Sequence, residues 1–158
     1  MSKHENAAPA RCMHSLSPHL VCEGAAAAVD FYKKAFGAEE MMRIPAPDGR
    51  LMHACLWING STVIVMDAFP EMGAVSPQAL GGSPVTLHLI VEDTDSAFDR
   101  AIDAGAIEVA APDDMFWGDR YAVVKDPFGH SWSIATPQKN FSEEEIIERA
   151  KSVMMECG

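Results

Sequence analysis

Leu51-Met52-His53-Ala54-Cys55-Leu56-Trp57-Ile58-Asn59-Gly60-Ser61-Thr62-Val63-Ile64-Val65-Met66 reads as a complete β-hairpin. Two runs rich in β-branched and aromatic residues flank an Asn-Gly pair. A two-residue hairpin turn needs positive φ at both positions, which Asn and Gly accept most readily. Such a turn pairs Leu56 with Val63 and Ala54 with Val65, so these four share one face, the one that helices should cover. His53, Cys55 and Trp57 then point the other way, together with Thr62, Ile64 and Met66.

Upstream, a short apolar strand at Pro18-His19-Leu20-Val21-Cys22 leads through Gly24 into a helix over Ala25–Phe36, which Gly37 stops. A strand at 41–44 and a turn at Pro47-Asp48-Gly49 complete the approach to the hairpin. Downstream the same order recurs. A strand at 85–91 precedes an acidic helix start, Glu92-Asp93-Thr94-Asp95, and the helix ends at Gly105. Phe36-Gly37-Ala38 answers to Ala104-Gly105-Ala106. A strand at 107–110, a loop through Pro112 and a hairpin of 120–125 with 130–135, turned by Asp126-Pro127-Phe128-Gly129, finish the second copy.

The plan is βαβββ twice, an α+β fold of two modules with cupped mixed sheets. It predicts one domain over 16–136, with modules at 16–68 and 84–136 and a linker at 69–83. The linker is rich in Gly, Pro, Ser and Ala and suits a connector or a flap over a site. Residues 1–15 read as a disordered tail. Residues 137–158 carry a helix opened by the capping box Ser142-Glu143-Glu144-Glu145. Its stripe of Ile146, Ile147, Ala150 and Met154 is expected to pack on the domain or on a partner subunit.

Composition narrows the function. The 158 residues carry 12 Lys+Arg against 23 Asp+Glu, a net charge of −11, which leaves no basic face for a phosphate backbone. No apolar run approaches the roughly 20 residues that span a bilayer. The first residues lack the apolar core of a signal peptide, which predicts a cytoplasmic, reducing location. Cys12, Cys22, Cys55 and Cys157 show no CxxC spacing and read as free thiols. No phosphate loop, nucleophile elbow or HExxH is present.

Alternation along the strands collects the polar residues. His19 and Val21 oppose Leu20 and Cys22; Thr86, His88 and Ile90 oppose Leu87, Leu89 and Val91. If the last turn holds four residues, Tyr121 and Val123 pair with Ile134 and Trp132, leaving Arg120, Ala122, Val124, Ser131 and Ser133 opposite. His19, His53, His88 and Arg120 would then share a partly apolar concavity of the kind that takes small molecules. The stretch Phe116-Trp117-Gly118-Asp119-Arg120-Tyr121 forms an aromatic wall beside it, with Arg120 clamping an anionic or carbonyl group, or else packs as ordinary aromatics beside a surface arginine. Imidazoles suit zinc, nickel or iron, yet no carboxylate shares these faces. Asp67 falls opposite His53.

Val29-Asp30-Phe31-Tyr32-Lys33-Lys34-Ala35-Phe36-Gly37-Ala38 and Asp126-Pro127-Phe128-Gly129-His130, on a doubled βαβββ plan, resemble the vicinal oxygen chelate superfamily of glyoxalase I, bleomycin-resistance proteins and extradiol dioxygenases. Phe116-Trp117-Gly118-Asp119-Arg120-Tyr121, the Asp-Pro-Phe-Gly-His-Ser-Trp turn and Pro47-Asp48-Gly49 leading to Met52-His53-Ala54 resemble its PhnB-like branch. The resemblance implies a glyoxalase-like fold, commonly a homodimer, with a cup that in some members holds a divalent metal through the first, fourth, fifth and eighth strands. Three of those ligand positions fall on Ser17, Thr86 and Ser133.

His19 and His88 lie two residues beyond the first two positions and could rebuild a shifted metal site. Two functions follow. One is a lyase or isomerase assisted by a divalent metal (Zn, Ni or Fe), with His19 and His88 as ligands. The other is a metal-free protein that sequesters a small molecule or antibiotic. In both, His53, Cys55, Trp57, Phe116, Trp117, Arg120 and Ser133 are the expected ligand-binding residues.

Overall fold

The computed structural model describes residues 14–157. The chain runs β1 (His19–Cys22), α1 (Ala25–Phe36), β2 (Glu39–Pro45), β3 (Leu51–Ile58), β4 (Ser61–Asp67), α2 (Pro77–Leu80) and β5 (Thr86–Ile90). It continues α3 (Thr94–Ala104), β6 (Ile107–Asp114), β7 (Asp119–Lys125), β8 (Ser131–Pro137) and α4 (Glu143–Glu156). Two four-stranded sheets result, ordered β1-β4-β3-β2 and β5-β8-β7-β6, the same order in each module. The outer strands β1 and β5 pair parallel with β4 and β8, and all other pairs are antiparallel.

α1 and α3 pack on each other and each on its own sheet, so the helices lie between the two sheets. Their C-termini close as the glycines require: Gly37 donates to the carbonyls of Lys33 and Tyr32 at φ 66°, the left-handed conformation that costs an L residue most. The alternation read from the first hairpin holds: Ala54, Leu56, Val63 and Val65 are buried in the shared core, in the predicted register. Asn59 (φ 43°) and Gly60 (φ 87°) make its turn, and the Asn59 side chain donates to the Ile90 carbonyl, docking the hairpin tip on the second module.

The second hairpin departs from expectation by one residue. Ala122 pairs with Ile134 and Val124 with Trp132, and these four are buried. The cause is the Asp126 side chain, whose Oδ1 accepts from the backbone N–H groups of both Phe128 and His130 (2.9 and 3.0 Å). Those bonds hold His130 in the turn, giving five loop residues instead of four. An odd shift exchanges the two faces of one strand relative to the other. Tyr121 and Val123 therefore join Ser131 and Ser133 on the open face, and Arg120 leaves it.

Three smaller differences have local causes. β6 runs through Pro112, which an edge strand tolerates at a break in pairing between Ala110 and Asp113. The linker is not structureless: a 3-10 turn at Pro70–Met72 and α2, capped by Ser76, fold it against β1 and the second turn, where Gln78 donates to the Pro127 carbonyl at 3.0 Å. α4 starts at its predicted cap, Ser142 Oγ accepting from the Glu145 N–H, but Ile147, Val153, Met154 and Met155 remain exposed. Residues 1–13, and with them most of the expected tail and Cys12, lie outside the described residues.

Candidate functional site

Because the helices occupy one side of each sheet, the other side of each is open. On the second sheet, alternation against buried Trp132 and Ile134 places Ser133 on the open face, and the pairing of His88 with Ser133 sets the imidazole beside it. His88 Nδ1 and Ser133 Oγ are 2.7 Å apart. The His88 ring lies nearly parallel to that of Tyr121, with centroids 6.2 Å apart, and Trp117 meets Tyr121 edge-on at 5.4 Å. Phe116 meets Trp117 edge-on at 5.0 Å, and Trp117 Nε1 donates to Asp119 Oδ2 at 3.0 Å. An imidazole, a phenol and an indole thus form a continuous wall with a hydrogen bond at each end.

Ser133 is only 2% exposed. A buried hydroxyl cannot reach a substrate carbonyl, so the contact orients the imidazole of His88 rather than activating a nucleophile. The ring of His88 itself is exposed.

The first sheet contributes a second, separate set. His19, Val21, His53, Ile64, Met66 and Trp57 lie on its open face, with Trp57 packed edge-on against His14 at 5.4 Å. Burial, and then the nearby charge of His53, hold His19 below the usual histidine range. A folded-state value below the unfolded 6.5 means that the unfolded chain takes up the proton more readily. His19 therefore adds stability above about pH 6.5, which is lost as pH falls below that value. An NMR titration should find the His19 midpoint under 6.5, and His53→Ala should raise it. A midpoint that does not respond to His53→Ala would remove the coupling.

The predicted residues are therefore divided. His88, Ser133, Phe116 and Trp117 come together on the second sheet; His19, His53, Cys55 and Trp57 belong to the first. His19 and His88 line different cavities, the first under the linker and the second between β5 and the first hairpin. Arg120 is on the helix side, paired with Asp95 at 2.9 Å and with Asp114 at 3.3 Å, and faces neither set. Cys55 is not a free thiol but disulfide-bonded, whereas Cys22 and Cys157 are free. Burial, then the Asp126 charge, push the Cys22 thiol up to about 12, so it is inert at neutral pH. Tyr121 and Asp119 stood in the expected aromatic stretch but not in the expected ligand-binding set, because the expected register put Tyr121 on the helix side. The signal was Asp126 two residues before Phe128, an Asx-type turn that lengthens the loop.

The motifs behind the resemblance hold the modules together. Tyr32 of α1 donates to Asp126 Oδ2 at 2.5 Å, and Trp132 Nε1 donates to the same oxygen at 2.9 Å. Phe36 and Trp132 pack at 4.6 Å across the same seam. Paired βαβββ modules with helices between two open sheets define the class. The chain belongs to the Glyoxalase/Bleomycin resistance protein/Dioxygenase superfamily, which it matches over residues 13–134.

It is 53% identical over 135 residues to an uncharacterized protein of Mycobacterium tuberculosis, covering 84% of this chain and 79% of that one. A crystal structure from Arabidopsis thaliana is similar at 31% identity and TM-score 0.63, over 78% of this chain and 98% of that one. The PhnB protein of Bacillus cereus shares the fold at 17% identity and TM-score 0.58, over 78% and 99% of the two chains.

The metal that some members carry does not fit the donors found here. The three positions mapped for it hold Ser17, whose hydroxyl bonds that of Thr62, Thr86, and Ser133, whose hydroxyl bonds His88. Neutral hydroxyls are poor ligands for zinc, nickel or iron. Among the described residues no three His, Cys, Asp or Glu side chains cluster as a metal set. Equally, no described helix is long and apolar enough to cross a membrane.

Proposed function

We propose that this protein binds a small molecule in a metal-free cup, and that its recognition wall is His88, Tyr121 and Trp117 on the open face of the second sheet. The observation that carries this is the unbroken row of three rings ending in the His88–Ser133 hydrogen bond, on the side of the second sheet that faces away from the helices. Such a wall takes an apolar ring by stacking and orients it with one imidazole. The helices separate the two open faces within one chain, so a homodimer is the arrangement that lays the first sheet of one copy over the second sheet of the other. His53 and Trp57 would then complete the cup. Superfamily membership supports both the ligand class and the pairing.

Binding of the neutral fluorophore N-phenyl-1-naphthylamine tests the reading. Loss of one ring contact of about 0.5–1.5 kcal/mol corresponds to roughly 2-fold to 10-fold in affinity. His88→Ala and Trp117→Ala should each weaken the probe by that factor, and Lys34→Ala on the helix side should not. Equal affinity in all three variants would sink the assignment. Metal analysis separates the other class: about one bound metal per chain, lost in His19→Ala and His88→Ala, would overturn the metal-free cup.

A further inference from the structure

The turn that carries Phe116 and Trp117 is held from outside the βαβββ modules. It is closed by two backbone bonds, Met115 N–H to the Asp119 carbonyl at 2.8 Å and Gly118 N–H to the Met115 carbonyl at 3.0 Å. Its outer carbonyl, that of Gly118, accepts from the N–H groups of both Gln138 and Lys139, at 3.1 and 3.0 Å. These residues follow β8 and lead into α4. The approach is close enough to demand glycine: Gly118 sits at φ 109°, and a Cβ there would overlap the Lys139 carbonyl oxygen and crowd the Phe141 ring at 3.3 Å.

Phe141 immediately precedes the α4 cap, and the Arg149 guanidinium of α4 lies 3.8 Å over its ring. The rest of α4 is mostly exposed, and a cleft of about 330 Å³ lined by Phe116, Gly118, Phe141, Arg149 and Val153 separates it from the turn. The contact is therefore narrow: two hydrogen bonds and one ring, backed by one cation.

We infer that the segment from Gln138 to α4 is a positioning element for the ligand wall, acting through Phe141 and Gly118 on Trp117. This rests on the wall being the ligand site. Removing the Phe141 ring loosens the clamp on Gly118, the turn gains freedom, and Trp117 loses its edge-on setting against Tyr121. Because Tyr121 in turn packs on His88, the disturbance reaches the His88 end of the wall without touching the core under Trp132.

The test uses the full chain labelled with 5-fluorotryptophan, whose three tryptophans give three fluorine resonances, that of Trp117 being assigned by its absence in Trp117→Phe. Phe141→Ala should shift or broaden the Trp117 resonance, leave that of Trp132 in place, and weaken N-phenyl-1-naphthylamine about 3-fold to 10-fold. Phe141→Tyr, which keeps the ring under Arg149, should restore both. Gly118→Ala should act in the same direction from the other side of the contact. An unmoved Trp117 resonance in Phe141→Ala overturns the positioning role, whatever the probe does. A moved resonance, with probe affinity unchanged even in Trp117→Ala, supports the positioning and overturns the ligand site instead.

Discussion

Asp126→Ala should cost about 3–5 kcal/mol of folding stability, because it strands four donors, three of them buried. The carboxylate is 2% exposed and accepts four hydrogen bonds, from the Tyr32 hydroxyl, the Trp132 indole and the backbone N–H groups of Phe128 and His130. Burial, then the adjacent Asp126 charge, keep the Tyr32 hydroxyl protonated well above its ordinary range, so it remains a donor at every working pH. Alanine removes the acceptor for all four at once, in the seam where α1 of one module meets the turn of the other. Asp126→Asn keeps the volume but turns an N–H toward at least one of those donors, and should cost less. For a chain of this length the alanine loss lowers the melting temperature by roughly 10 °C or more. A thermal melt displaced by under about 3 °C would show that the network contributes little.

The same network shows which parts of the molecule its sequence reveals. The doubled plan and the register of the first hairpin were legible because their signals are local: Asn59-Gly60 forces one turn, and Gly37 and Gly105 end the helices. The second hairpin was not, because its loop length depends on what the Asp126 side chain does with its spare oxygen. One extra loop residue moved Tyr121 onto the open face and sent Arg120 to Asp95 and Asp114.

The candidate site was half legible for the same reason. His88 and Ser133 could be placed by alternation alone, whereas their contact with Tyr121 needed the register of a neighbouring strand. Cys55 eluded the sequence for a different reason, since the absence of a CxxC spacing does not exclude a disulfide. Nor could His19 and His88 be told apart by faces alone: both point away from helices, but from different sheets.

Asp67→Ala should be the second most damaging substitution, at about 2–4 kcal/mol, and it isolates one module. Asp67 closes β4 and is 8% exposed; its Oδ1 accepts from Gly24 and Ala25 at 3.0 and 2.9 Å, and its Oδ2 from Leu51 at 2.7 Å. α1 begins at a glycine with no side-chain cap and has no acidic residue in its first turn. The Asp67 carboxylate therefore does both tasks from a distant strand, bonding the orphan N–H groups and placing negative charge at the positive end of the helix. Asp67→Asn retains the bonds through Oδ1 but sets an amide N–H against that of Leu51, and should recover about half of the loss. Amide exchange at Gly24 and Ala25 distinguishes a local from a global effect. Both amides should lose protection in Asp67→Ala, along with a fall in melting temperature, while wall residues such as Tyr121 keep theirs under native conditions. If exchange at Gly24 and Ala25 stayed slow, the helix would be capped by something other than Asp67. The two most heavily bonded buried carboxylates would then not share a role, and the view that this chain uses its buried acids for architecture would rest on Asp126 alone.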